Sequence, residues 1–348
     1  MSTTVVSIDP RVDQRWRALA DGSRGSLFTS PPWLTAVCAT YNFAPEARVL
    51  IDGNGDATAG VAWVDVDDLR GRRRVTLPFS DRGDPMVSDL ASWQRLTDDV
   101  VDPALPFTVR TLDGSPLADD NRFERSGEAA WHQTPLGSSA DELWKRLSSN
   151  ARHNVNAGLR NGVKVEVRDD LDAIREFHRL HTLLRKRKYA LLAQPIELFE
   201  RIWETFSATD DVRVLMALSP DGEPIAGGVY LIWNGVLYYK FGASLSEHLM
   251  LRPNELVTWS AMQFGLERGL RALDWGLSDL DQPGLVAYKR KWATEERRIH
   301  TYRTASAPHP EQKDVGQLLH AITQLFTDAR VPDDVTEEAG ALLYRYFC

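Results

Sequence analysis

Between Ser30 and Tyr41 the apolar residues Trp33, Leu34, Val37 and Cys38 recur at helical spacing, which predicts an amphipathic helix. Two strand-like runs follow, Ala47 to Ile51 and Ala59 to Trp63, with Asp52-Gly53 between them. Strand, Asp-Gly turn and strand make a hairpin signal. The same order returns about 165 residues later, a spacing that suggests a duplicated unit. There Pro195 to Phe206 carries Ile196, Phe199, Ile202, Trp203 and Phe206 at helical spacing. Val212 to Met216, Asp221-Gly222 and Ile225 to Tyr230 then repeat the hairpin.

The stretch from Asp113 to Ser139 is rich in Gly, Pro, Ser, Asp and Asn and shows little periodicity. It is read as a loop-rich boundary near residue 138. Ser139-Ala140-Asp141-Glu142 has capping-box spacing and opens a helix expected to run from Leu143 to about Leu159. The pattern then predicts a strand over 163–167, a helix over 171–187 and the 196–206 helix. Strands over 212–218, 225–233 and 236–242 come next, then a helix over 254–268 ended by Gly269 and a strand over 270–277. Tyr288 to Trp292 is read as a further strand. Alternation there puts Lys289 and Lys291 on one face and Tyr288, Arg290 and Trp292 on the other. Helical patterns close the chain from Glu311 to Ala329 and from Thr336 to Phe347. Hairpins exclude an all-parallel sheet. The expected class is α/β (α+β), with mixed, mainly antiparallel sheets flanked by helices.

Composition narrows the chemistry. The net charge of −8 excludes a generic nucleic-acid-coating protein, yet residues 141–190 hold more Lys and Arg than Asp and Glu. The run Arg185-Lys186-Arg187-Lys188 is the densest part of that region. It reads either as a solvated helix end favoured by the dipole or as a phosphate-binding patch. Two distant cysteines, Cys38 and Cys348, make neither a disulfide framework nor a zinc site, and the expected location is a reducing cytoplasm. The longest apolar run, Ile225 to Trp233, is far short of a membrane span, so no stable membrane insertion is expected. His178 and His181 sit three apart without further ligands at suitable spacing, and no metal is expected. No Gly-x-Gly-x-x-Gly follows a strand, and there is no Walker loop and no Gly-x-Ser-x-Gly elbow.

The segment from Leu251 to Tyr302 carries a family resemblance. It reads Arg252-Pro253-Asn254-Glu255-Leu256, a helix to Gly269, Asp274-Trp275-Gly276, and then Tyr288-Lys289-Arg290-Lys291-Trp292. This order resembles the Fem-type branch of the GNAT acyltransferase superfamily. Its members show Pro-Asn-x-Leu-Leu before a helix, then Asp-x-Gly, then aromatic-Lys-x-x-aromatic-Gly. Phe28-Thr29-Ser30-Pro31-Pro32-Trp33 is similar to the family's N-terminal signature, and the helix with Asn150-Ala151-Arg152-His153-Asn154 to its basic helix. The family's closing Gly is Ala293 here. Ala36, Val37 and Cys38 stand where muropeptide-recognising members tend to carry a Lys.

The resemblance implies two tandem GNAT-like domains. The first spans 1–138 and is completed by the tail 306–348. The second spans 139–305 and carries the Fem-type motifs. It also implies amide formation, with an amine attacking the ester of an aminoacyl-tRNA in the cytoplasm, and no metal or other cofactor. The acceptor would be an amine-bearing small molecule or peptide. Such an ester needs positioning and oxyanion stabilisation rather than a protein nucleophile. Tyr288 and Lys289 fall at the family's aromatic-Lys pair beside the reacting ester, so they are the catalytic candidates. Arg152, Arg185, Lys188, Lys291, Trp33 and Asp274 are the expected substrate- and tRNA-binding residues. The rival donor is acyl-CoA. However, His248 to Glu255 lacks the glycines that cradle a pyrophosphate at a helix N-terminus and contains Pro253 and Glu255 instead. A non-catalytic binding module is the third reading.

Overall fold

The computed structural model of the chain describes residues 3–304 and 311–348. In chain order the first elements are β1 (Thr4–Ile8), α1 (Gln14–Ala20), α2 (Pro31–Tyr41), β2 (Pro45–Ile51), β3 (Ala57–Asp68), β4 (Gly71–Val75), α3 (Leu90–Thr97), β5 (Phe107–Leu112) and β6 (Phe123–Pro135). Then come α4 (Ala140–Arg146), α5 (Ser149–Arg160), β7 (Lys164–Arg168), α6 (Leu171–Tyr189), α7 (Ile196–Ser207), β8 (Val212–Leu218), β9 (Pro224–Trp233) and β10 (Val236–Ser244). The last are α8 (Pro253–Glu267), β11 (Ala272–Asp279), α9 (Pro283–Arg290), β12 (Glu295–Thr304), α10 (Glu311–Phe326) and α11 (Asp333–Leu343).

The chain divides into two compact units. One holds residues 1–130, 297–318 and Cys348, the other residues 131–296 and 319–347. The sequence reading joins the whole tail 306–348 to the first domain, but the structure divides it, and Leu319–Phe347 pack with the second unit. The reason is local. Lys186 of α6 donates to the Val331 carbonyl at 2.5 Å and to the Asp333 carboxylate at 2.8 Å. Gly340 of α11 lies so close to the loop after α6 that a Cβ there would stand 2.5 Å from the Ala193 carbonyl oxygen. Residues 305–310, where the sequence places the junction with the tail, lie outside the described residues.

Within the first unit β1, β2, β3 and β4 pair antiparallel in sequence, β4 pairs parallel with β5, and β5 pairs antiparallel with β12. Within the second, β7, β8, β9 and β10 pair antiparallel in sequence and β10 pairs parallel with β11. The two units thus repeat one strand order: three antiparallel steps, then one parallel step. The repeat seen in the sequence is the β2–β3 and β8–β9 hairpins, each preceded by its helix.

Three local expectations change. The helix expected from 143 is two helices, because Ser148 starts a new one by accepting the Ala151 N–H at 3.1 Å. The loop-rich stretch contains the 13-residue strand β6, whose polar residues hide the alternation. The strand expected over 288–292 is instead the helix α9, with Pro283 in its first turn. Lys289 and Lys291 therefore do not share a strand face.

The second unit's core gathers Leu143, Val155, Leu215, Tyr230, Leu256 and Trp275 among its buried residues. Helices α5 and α8 lie on one face of its sheet. A Cβ on Gly158 of α5 would stand 2.7 Å from Leu256 Cδ1 and 3.1 Å from the Arg252 carbonyl oxygen, so α5 packs closely against one side of the first turn of α8.

Candidate active site

The parallel pairing of β10 with β11 runs only from Val236↔Ala272 to Tyr238↔Asp274. β10 continues to Ser244 and β11 to Asp279. A cavity of about 610 Å³ lies in this unit beyond the last pair, and its lining includes Tyr230, Tyr239, Asn254, Thr258, Tyr288 and Lys188.

Strands that part leave backbone groups that need partners. On the β11 side those partners include the Lys289 ammonium. Its Nζ donates to the carbonyls of Trp275 at 2.6 Å, Gly276 at 3.2 Å and Leu277 at 3.1 Å, and the residue is only 3% exposed. Asp274 is equally structural. Its carboxylate accepts the Gly276 N–H at 2.7 Å and the Trp131 indole N–H at 3.1 Å, fixing the bend at which Gly276 takes φ +64°. Lys289 and Asp274 therefore hold β11 open from behind, and neither lines the cavity.

Tyr288 does line it. Its hydroxyl lies 3.0 Å from Thr258 Oγ1 and 3.3 Å from the Asn254 carbonyl oxygen. Burial, followed by the nearby Glu255 carboxylate, raises its pKa well above the usual phenol value, so it stays protonated. Lys291 steadies it from the other side. The ammonium pairs with Glu255 at 2.9 Å and sits 4.1 Å from the Tyr288 ring centroid.

The other expected residues are dispersed. Arg152 donates to the carbonyls of Trp144 and Lys145, capping the C-terminus of α4. Arg185 donates to the Leu192 carbonyl at 2.9 Å. Trp33 is buried in the first unit with its indole N–H on Ser80 Oγ at 2.8 Å. Of the three cations expected on phosphate, Lys188 is the exposed one that lines the cavity.

The sequence reading missed Tyr230 and Tyr239, which lie in apolar runs that read as ordinary core. They pair across β9 and β10, with ring centroids 5.4 Å apart. The available signal was glycine inside strands, which marks a close approach. Gly228 and Gly242 face each other in register. A Cβ on Gly242 would fall 1.6 Å from the Tyr239 hydroxyl, and one on Gly228 2.8 Å from the Tyr230 ring. Among the described residues no group of three or more His, Cys, Asp or Glu could hold a metal, and no helix is long and apolar enough to cross a membrane.

A family model described as an acetyltransferase (GNAT) domain matches residues 145–290, the segment that holds the cavity. Lipid II:glycine glycyltransferase of Staphylococcus haemolyticus (strain JCSC1435) is 29% identical over 100 residues, which cover 27% of this chain and 24% of that protein. The protein of the same name from Staphylococcus saprophyticus is 28% identical over 100 residues, with the same coverage. The match thus spans about a quarter of the length of these curated relatives. Among solved structures, FemX superposes with a TM-score of 0.69 at 16% identity, over 91% of this chain and 99% of that one. L-PGS from Bacillus licheniformis gives 0.51 at 14% identity, over 90% and 97%. At these identities the structural likeness is one of fold. The chain is thus similar to a GNAT acetyltransferase domain over residues 145–290, to the two glycyltransferases over 100 residues, and to FemX in fold.

Proposed function

We propose that this protein is an amide-forming acyltransferase that moves an aminoacyl group from aminoacyl-tRNA to the amine of a small-molecule or peptide acceptor, in the cytoplasm and without a metal. In the same reading each of its two units is a GNAT-like domain. The shared strand order supports this.

The observation that carries the choice of donor is the chemistry of the first turn of α8. In a GNAT-type fold a CoA pyrophosphate would need the backbone N–H groups of that turn. Here Pro253 removes one N–H, Gly158 of α5 packs against Arg252 and Leu256, and Glu255 places a buried carboxylate in the first turn. The cavity itself remains open, with protonated phenols inside and Lys188 exposed at its lining. That suits an ester whose bulk stays outside. The deciding measurement is turnover of an amine acceptor panel with mixed aminoacyl-tRNA and, separately, with acetyl-CoA, alongside calorimetry with CoA. The expected result is transfer from charged tRNA and no CoA binding at micromolar concentration. CoA-dependent turnover with micromolar CoA affinity would make the protein an acyl-CoA N-acyltransferase. Absence of transfer from both, with tight peptide binding, would make it a binding module.

Lys188 gives a second expectation. Lys188→Glu should weaken tRNA binding and reduce the slope of log affinity against log salt by about one. Arg152→Glu should act mainly by uncapping α4. An unchanged salt slope in Lys188→Glu would leave that lysine outside the phosphate contacts.

A further inference from the structure

We infer that the hydroxyls of Tyr230 and Tyr239 form a two-donor oxyanion site, holding the acyl oxygen while the acceptor amine attacks; this rests on the acyl-transfer reading above. Tyr230 is 1% exposed and lines the cavity, and among the described residues its hydroxyl has no hydrogen-bond partner. Tyr239 likewise lines the cavity and contributes only ring contacts with Tyr230 and Trp275. A hydroxyl that reaches the cavity without a protein partner keeps its donor free for a group that enters there.

The backbone shows how the pair is built. Tyr239 and Gly242 are three residues apart, which in a regular strand puts them on opposite faces. The register shifts between Tyr239 and Phe241. The extra residue, Lys240, returns Gly242 to the face of Tyr239. Gly228 and Gly242 then form a bare floor under the two phenols. No side chain of the floor competes for the space beside the hydroxyls. Burial holds both phenols neutral, pushing Tyr239 up to about 12 and Tyr230 well above the usual value. They therefore remain donors across the working pH range.

The chemistry balances with these two groups unchanged. The amine nitrogen bonds to the ester carbon and the carbonyl pair moves onto oxygen, where the two O–H groups receive it. On collapse the carbon–oxygen bond to the tRNA ribose breaks. The proton lost by the amine ends on that ribose oxygen, leaving an amide and an uncharged tRNA. Preorganised neutral donors strengthen their hold as charge develops, which is the requirement for lowering the barrier.

Tyr230→Phe and Tyr239→Phe in the full-length protein, assayed with whichever donor the wild type turns over, test this. Each should lower kcat by roughly a hundredfold or more, with KM little changed. The unfolding midpoint should hold, because no protein hydrogen bond is removed. The double variant should lose less than the product of the two, as expected for groups acting on one atom. If a Phe variant is unstable, 3-fluorotyrosine at the same position keeps the shape and makes the phenol more acidic. kcat should then respond to the stronger donor while KM holds. Full turnover in both Phe variants, a change in KM alone, or a kcat that does not respond to 3-fluorotyrosine overturns the oxyanion assignment while leaving acyl transfer standing. A wild-type protein that transfers from neither donor overturns both together.

Discussion

Lys289→Met is expected to destabilise the protein by about 3 kcal/mol or more, since hydrogen bonds from a charged donor are each worth roughly 1.5–3 kcal/mol and carbonyls left without a partner cost as well. The reason lies in the parting of β10 and β11. Beyond Tyr238↔Asp274 the two strands no longer pair, and the Lys289 ammonium takes the carbonyls of Trp275, Gly276 and Leu277. Methionine fills similar space but donates nothing. α9 should then lose its tie to β11, and turnover should fall because Leu285 and Tyr288 of that helix line the cavity. Lys289→Arg should keep part of the stability, though its wider planar head fits three convergent carbonyls poorly. Denaturant midpoints of the three proteins decide the matter. A Met variant as stable as the wild type but without turnover would return Lys289 to the reacting ester, where its motif position first places it.

That motif position shows what a sequence can and cannot disclose here. The two hairpins were legible because apolar strands separated by Asp-Gly leave a periodic signature, and Gly222 indeed takes φ +87° at the turn. β6 was not legible. His132 and Thr134 are buried within it, with His132 Nε2 on Glu296 and the Thr134 hydroxyl on the Trp292 carbonyl, so a core strand looks like a polar loop. In α9, Pro283-Gly284 reads as a turn into a strand, whereas Pro283 in the first turn begins a helix that turns Lys289 inward. A motif fixes which residues stand near one another along the chain. Whether a lysine faces substrate or backbone depends on the unpaired carbonyls it meets, which belong to β11. Likewise Tyr230 and Tyr239 differ from core tyrosines only through glycines on neighbouring positions.

The second large effect is acid sensitivity centred on His181. The imidazole is buried on α6, its Nε2 lies 2.7 Å from Gln194 Oε1, and Nδ1 has no hydrogen-bond partner. Phe177, Phe199 and Phe241 surround the ring. Nε2 donates to the Gln194 oxygen, which fixes the neutral tautomer. Burial pushes the pKa down to about 3, opposed by the Gln194 hydrogen bond and reinforced by Arg185 and His178. In the unfolded chain the same group protonates near pH 6.5. The folded state thus refuses a proton that the unfolded state accepts, so stability is full above about pH 6.5 and falls as the pH drops toward 3, at a limiting slope of about 1.4 kcal/mol per pH unit for this one group. The sum over that window is of the order of 5 kcal/mol, a large part of a typical domain's stability. His178 and His132 are shifted down as well, chiefly by burial, and add to the slope. The carboxylates with lowered pKa, such as Asp170 and Asp333, act mainly below pH 4. Urea midpoints measured between pH 7 and 5 therefore report mainly on the histidines, with Asp211, whose carboxyl is raised by burial, acting in the opposite direction at lower pH. His181→Phe should flatten that dependence by about one proton's worth, whatever it does to stability at neutral pH through the lost bond to Gln194. An equal slope in wild type and variant would mean that His181 is protonated, or exposed to protonation, in the folded protein, and the packing of α6 against Phe199 and Phe241 would then have to be redrawn.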